Sequence, residues 1–147
     1  MRAGLVQREP ERLAKWYADG LYEQIQKRRE GAERFLLHDG PPFANGDVHI
    51  GTALNKILKD FILKYQSLRG KQVPYVPGWD CHGLPIEFKV TQKMRKEGNT
   101  DATPAVIRKA CEEYALAFVD KQREQFKRLG VLREWDKPYL TLIPEYE

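Results

Sequence analysis

Residues 35–52 constrain this chain more than any other stretch. They open as a short apolar run, Phe35-Leu36-Leu37, break on Gly40-Pro41-Pro42 and pass through Asn45-Gly46. A long amphipathic segment then starts at His49. That order reads as strand, tight loop and helix. A helix start offers unpaired backbone N–H groups and the positive end of the helix dipole, which together suit an anion, phosphate above all. Here the first turn also carries an imidazole, His49, and a bare backbone at Gly51. A flat ring can lie against that glycine, because no Cβ keeps it away.

The flanking segments place this stretch in a larger plan. Residues 7–29 carry Leu13, Trp16, Tyr17, Leu21 and Ile25 at helical spacing, with Asp19-Gly20 able to split the helix in two. Residues 35–38 are expected to form the first strand, apolar throughout as in a parallel sheet buried on both faces. The next helix has an apolar face of Ile50, Leu54, Ile57, Leu58, Phe61, Ile62, Tyr65 and Leu68. Lys56, Lys59, Asp60 and Lys64 fall mostly on its other side, Asp47 is a plausible cap, and Gly70 ends it. Residues 72–76 form a second extended run weakened by Pro74, and Pro77-Gly78 reads as a turn. Residues 79–85 are a loop dense in functional side chains, and Pro85 suits the first turn of another helix. Thr103 caps and Pro104 opens the longest helix, with a stripe of Ile107, Ala110, Cys111, Tyr114, Phe118, Phe126 and Leu129. Cys111 reads as a buried thiol without a catalytic role, and residues 138–143 as the start of another strand.

Strand, helix and second extended run joined by tight loops suggest a βαβ crossover, hence an α/β fold with a parallel sheet. Ligands of such sheets bind at the carboxyl ends of the strands. The loops 40–46 and 78–83 should therefore lie side by side at one rim. His49, Asn45 and the helix start are donors suited to phosphate, and Asp80 is an acceptor suited to a cation. His38, Asp39 and His82 could serve either purpose. Such a site could hold ATP and an ammonium group together. Taken singly, each residue has a plainer reading: a capping or surface histidine, an Asx turn at Asp80, a turn dipeptide at Asn45-Gly46, a solvated helix end at Lys93-Met94-Arg95-Lys96.

Composition excludes more than it assigns. Lys+Arg number 25 against Asp+Glu 21, and a net charge of +4 fits a solvated surface without arguing for nucleic acid. Cys81 and Cys111 are far apart, and Cys81-His82 alone makes no metal site, so zinc is not expected and two reduced thiols are. No apolar run approaches the roughly 18 residues that a membrane span needs, and charges interrupt any signal peptide, so the expectation is a cytoplasmic protein.

The segment from Pro42 to Thr52, with His49-Ile50-Gly51-Thr52 at its end, resembles the His-Ile-Gly-His signature of class I aminoacyl-tRNA synthetases. The flanks His38-Asp39-Gly40-Pro41-Pro42, Asn55-Lys56-Ile57-Leu58-Lys59-Asp60 and Pro77-Gly78-Trp79-Asp80-Cys81-His82-Gly83-Leu84-Pro85-Ile86-Glu87 are similar to the isoleucyl branch of that class. The resemblance runs along the whole chain. It implies the N-terminal half of a Rossmann-like nucleotide-binding fold with flanking helices. Residues 1–34 would be a helical arm, and 35–147 the first half of the catalytic domain, truncated before the editing insertion. It implies activation of isoleucine by ATP, with Mg2+ accompanying the ATP, and transfer to the matching tRNA by a monomeric parent enzyme. By resemblance His49 and Thr52 are catalytic; Asn45, Gly46, His49, Gly51 and Thr52 bind ATP; Gly40, Pro41 and Asp80 bind the amino acid. No protein metal ligands are implied. Two departures stand out. Thr52 occupies the place of the second histidine, and the Lys-Met-Ser-Lys-Ser loop is absent, Lys93-Met94-Arg95-Lys96 being no substitute. The chain thus looks like part of a longer enzyme, inactive alone; the competing expectation is a free-standing nucleotide-binding module.

Overall fold

The helical stripe of the N-terminal arm folds as α1, Leu5–Ala18, and α2, Leu21–Arg28. They part at Gly20, whose φ of 60° is a left-handed value that residues with a Cβ rarely take. This is the split that Asp19-Gly20 allows. The computed structural model describes residues 4–99 and 101–144. Beyond the arm it contains α3, Ile50–Leu68; β1, Gly78–Trp79; α4, Leu84–Lys96; α5, Pro104–Arg128; and β2, Tyr139–Leu140.

The architecture is mixed α/β and mostly helical. β1 and β2 pair in parallel, Gly78 opposite Tyr139 and Trp79 opposite Leu140. On the other side of the β1 segment, two isolated parallel bridges join Arg34 to Gln72 and Phe43 to Asp80. Three extended segments therefore run in parallel with 72–80 in the middle. The expected first strand at residues 35–38 does not form: Arg34 bridges Gln72 and Phe35 N donates to the Gln72 carbonyl, and the ladder goes no further there. Pro41, Pro42, Pro74 and Pro77 bring no backbone donors to these segments. Between the two bridges, the Gly78 N–H donates instead to the Asp39 carboxylate at 3.3 Å. The expected turn at Pro77-Gly78 is corrected too: Gly78 lies within β1. A Cβ there would sit 2.9 Å from the Tyr139 ring and 3.3 Å from Pro41 Cβ, so this strand position needs a glycine for close approach.

The main core gathers Trp79 and Cys81 with Ile86 and Val90 of α4, Ala115, Val119 and Phe126 of α5, and Val131 and Trp135 beyond it. The buried face of α5 is Ala115, Val119, Gln122 and Phe126. Of the expected stripe, Phe126 lies at its centre. Ala110, Cys111, Tyr114 and Phe118 only pack around the core half-buried, so Cys111 is not the buried thiol expected.

Helix α3 reverses its expected orientation. Its charged side is the inner one, with Lys56 1% and Asp60 5% exposed, while Ile50 is 86%, Phe61 63% and Leu68 84% exposed. The attraction inward is a carboxylate. Lys56 Nζ lies 2.6 and 2.7 Å from the two oxygens of Asp39, and Arg133 Nη1 lies 2.7 Å away. The Tyr75 hydroxyl donates to the same group at 2.9 Å. Asp39 thereby ties together α3, the 72–80 segment and the chain after α5. Burial opposes its ionisation, but Arg133, Lys56 and Tyr75 outweigh that and hold its pKa at about 2. Since this lies below the ordinary 3.8, the group adds stability that is fully present above 3.8 and lost as pH falls through about 2. Chemical denaturation should show a loss of about 2 kcal/mol across that window. A flat profile there would mean that the carboxylate is not held by cations.

Candidate active site

The two loops expected at one rim are hydrogen-bonded to each other. Ala44 N donates to Asp80 O, and Asp80 N to Pro42 O, both at 2.9 Å. Asp80 follows β1 directly, and its half-buried carboxylate accepts from Thr141 Oγ1 at 3.3 Å. The same Thr141 oxygen accepts from Cys81 N at 2.9 Å, and the Thr141 carbonyl lies 2.9 Å from His82 Nε2. The end of β2 thus fixes Asp80, Cys81 and His82 together. Burial, and then the charge of Asp80, push the Cys81 thiol up to about 11, which keeps it protonated near neutral pH.

Across the rim, His49 caps α3 itself, where Asp47 was expected to. Its Nδ1 accepts from Gly51 N at 3.1 Å and Thr52 N at 3.3 Å. An accepting Nδ1 puts the proton of the neutral ring on Nε2, which lies 3.0 Å from Thr52 Oγ1. Thr52 then receives that hydrogen bond and keeps its own O–H free to donate. Gly51 has a second use here: a Cβ would stand 3.1 Å from His49 Cε1, so the bare backbone lets the imidazole fold over the helix start. Asp47 instead meets Lys121 Nζ at 2.8 Å and Gln125 Nε2 at 2.6 Å.

The remaining candidates sit on the same two loops. The Gly40 carbonyl accepts from Lys56 Nζ at 3.4 Å, and Pro41 lies against Gly78. Nothing would meet a Cβ at Gly46 within 4 Å, so that position is open. His38 is exposed, and Asp39 is engaged in the fold rather than offered to a ligand. Helix α5 holds the 43–48 segment from behind. Tyr114 Oη donates to Asn45 O at 3.2 Å, and Val48 N donates to Gln125 Oε1 at 2.9 Å. Gln122 Nε2 donates to Phe43 O at 3.0 Å and Gly46 O at 2.8 Å. Thr141, Gln122, Gln125 and Arg133 were not anticipated from the sequence. They lie far along the chain in segments without motif, and only the fold brings them here.

Residues 11–147 match the family described as tRNA synthetases class I (I, L, M and V). The isoleucine–tRNA ligase of Zymomonas mobilis subsp. mobilis is 59% identical over 150 residues, covering 100% of this chain and 16% of that protein. The isoleucine–tRNA ligase of Alkalilimnicola ehrlichii is 60% identical over 142 residues, 97% of this chain and 15% of that protein. The chain thus spans about 16% of the length of such relatives. Among solved structures, the ternary complex of Agrobacterium radiobacter K84 agnB2 LeuRS-tRNA-LeuAMS contains a chain that aligns with a TM-score of 0.71 at 24% identity. The alignment covers 99% of this chain and 16% of that one, and at this identity it speaks to the fold alone. The matched residues include both loops of the rim, and the chain belongs to the class I tRNA synthetases.

Proposed function

We propose that this chain forms the ATP- and isoleucine-binding part of an isoleucine–tRNA ligase. One observation carries the reading: the parallel pairing of Phe43 with Asp80 sets the loop that leads to the His49–Thr52 pair beside a carboxylate on a single rim. In the reaction, a carboxylate oxygen of isoleucine attacks the α-phosphorus of ATP. The bond from that phosphorus to the pyrophosphate oxygen breaks, giving isoleucyl-adenylate, whose acyl group then passes to the 3′-terminal ribose of the matching tRNA. The protein's share is positioning and charge stabilisation of an in-line displacement. In this reading residues 35–147 are the first half of a Rossmann-like nucleotide-binding domain and residues 1–34 an arm beside it.

His49 and Thr52 donate to the phosphates, with Asn45, Gly46 and Gly51 lining the nucleotide side. Gly40 and Pro41 border the amino acid, and Asp80 takes its ammonium. The one carboxylate of the 45–52 stretch, Asp47, is taken by Lys121 and Gln125, which leaves side-chain donors of His49 and Thr52 for phosphate oxygens rather than ligands for a metal ion. Mg2+ would therefore arrive held by ATP itself and shield its phosphate charge.

Asp80→Ala in a full-length ligase carrying this segment tests the reading. A charge-assisted hydrogen bond in a partly closed site contributes about 1.5–3 kcal/mol, so isoleucine should bind about ten- to a hundredfold more weakly. The ammonium is common to all amino acids, so valine should weaken by a similar factor. The measurement is kcat/KM for each amino acid in pyrophosphate exchange. A large change in the isoleucine-to-valine ratio would move Asp80 to the side-chain pocket, and no change in either value would remove it from the site.

A further inference from the structure

We propose that Gln122, in the middle of α5, is a positioning residue that presents the 43–48 segment to ATP; this rests on the ligase reading above. Gln122 is 3% exposed, and every capacity of its carboxamide that the fold calls on is met. Its two Nε2 protons go to the carbonyls of Phe43 and Gly46. Its Oε1 accepts from the indole N–H of Trp79 at 3.0 Å. One side chain therefore joins the His49 loop to the residue before Asp80.

The direction of these bonds matters more than their number. The carbonyls of Phe43, Asn45 and Gly46 all turn toward α5, to Gln122 and Tyr114. A trans peptide points its N–H opposite to its C=O. The N–H groups of Ala44, Gly46 and Asp47 are therefore turned away from α5. That of Ala44 meets the Asp80 carbonyl across the rim, and the succession ends at Val48, whose N–H turns back to Gln125 of α5. The Gly46 and Asp47 amides precede the capped start of α3, and amides presented in succession are what a phosphate oxygen binds. Helix α5 acts as a mould: it fixes the carbonyls behind so that the donors stand in front.

The amino-acid side has anchors of its own besides the bond from Trp79 to Gln122. Lys56 reaches the Gly40 carbonyl, and Asp39 takes the Gly78 N–H. Loosening Gln122 should therefore disturb ATP before isoleucine. Gln122→Met removes both donors, and with them the acceptor of the Trp79 indole N–H, at nearly equal volume. Gln122→Glu keeps the acceptor for Trp79 but sets a carboxylate against two carbonyl oxygens; once protonated, it regains one donor. Burial raises such a carboxyl's pKa into an accessible range.

The experiment is pyrophosphate exchange by a full-length ligase carrying this segment, with ATP and isoleucine varied in turn. Both variants should lose about ten- to a hundredfold in kcat/KM for ATP, the scale of a misplacement near 1 Å. KM for isoleucine should stay within about twofold, the bonds that hold Gly40 and Gly78 being untouched. Relative to the parent, Gln122→Glu should recover as pH falls, and Gln122→Met should not. If Gln122→Glu does not fold, the split between ATP and isoleucine in Gln122→Met decides. Equal rises in KM for both substrates at every pH, or no loss in kcat/KM for ATP, would overturn the proposal. Absence of exchange in the unsubstituted enzyme would sink the ligase reading instead, whereas an unchanged ATP dependence in an active Gln122→Met enzyme would sink the mould alone.

Discussion

His49→Ala in a full-length ligase carrying this segment is expected to lower the rate of isoleucyl-adenylate formation by about 10²-fold or more, while KM for ATP moves much less. A donor acts this way when its hydrogen bond strengthens as charge builds on the phosphorus oxygens. The geometry gives His49 a second duty that must be separated from the first. Its Nδ1 caps α3, and losing a cap costs about 1 kcal/mol of stability. His49→Asn is the control, because asparagine caps as well and carries no imidazole. It should restore the melting temperature and not the rate. Thr52→Ala should cost less than His49→Ala: it removes a neutral hydroxyl and leaves the Nε2 proton of His49 free to turn to the phosphate. Single-turnover adenylate formation with each variant settles the order. A Thr52→Ala enzyme slower than His49→Ala would exchange the two roles.

The sequence was most legible where backbone chemistry is local. Gly20, Pro85 and the pair Thr103-Pro104 mark helix boundaries because φ, missing donors and caps act within one turn. The rim was legible for a related reason: a strand–loop–helix order leaves few places for the loop to go. Helix α3 was not legible, although its apolar stripe is long and regular. Periodicity shows that one face is apolar and is silent on what lies against it. Here the inner neighbour is Asp39, so the lysine side turns in and Leu54, Phe61 and Tyr65 turn out. Gln122 was illegible for a different reason. A glutamine in a largely polar helix has no pattern, and its role exists only once residues 43, 46 and 79 are brought to it.

The inward lysine leads to the largest expected effect on stability. Asp39→Asn should destabilise the fold by about 3–5 kcal/mol, because it strands buried cations without a counter-charge. Lys56 and Arg133 are each 1% exposed, and Lys59 stands 3.3 Å from the same carboxylate. Lys56→Met should cost clearly less. Burial pulls the pKa of Lys56 down to about 8 in spite of Asp39, and the nearby Arg133 pushes the same way. Met fills much of the lysine stem's volume, and Asp39 keeps Arg133 as a partner at 2.7 Å. Arg133 would also keep its stacking on Tyr75, 4.1 Å from the ring centre. The cluster holds more cations than carboxylates, so taking out one cation relieves repulsion that taking out the carboxylate would worsen. Urea midpoints for the two variants, at unchanged m, measure the difference. Asp39→Asn should also abolish this group's share of the stability lost between pH 3.8 and about 2. Equal losses for Lys56→Met and Asp39→Asn would mean that the pair acts as a single neutral contact and that Arg133 adds nothing to it.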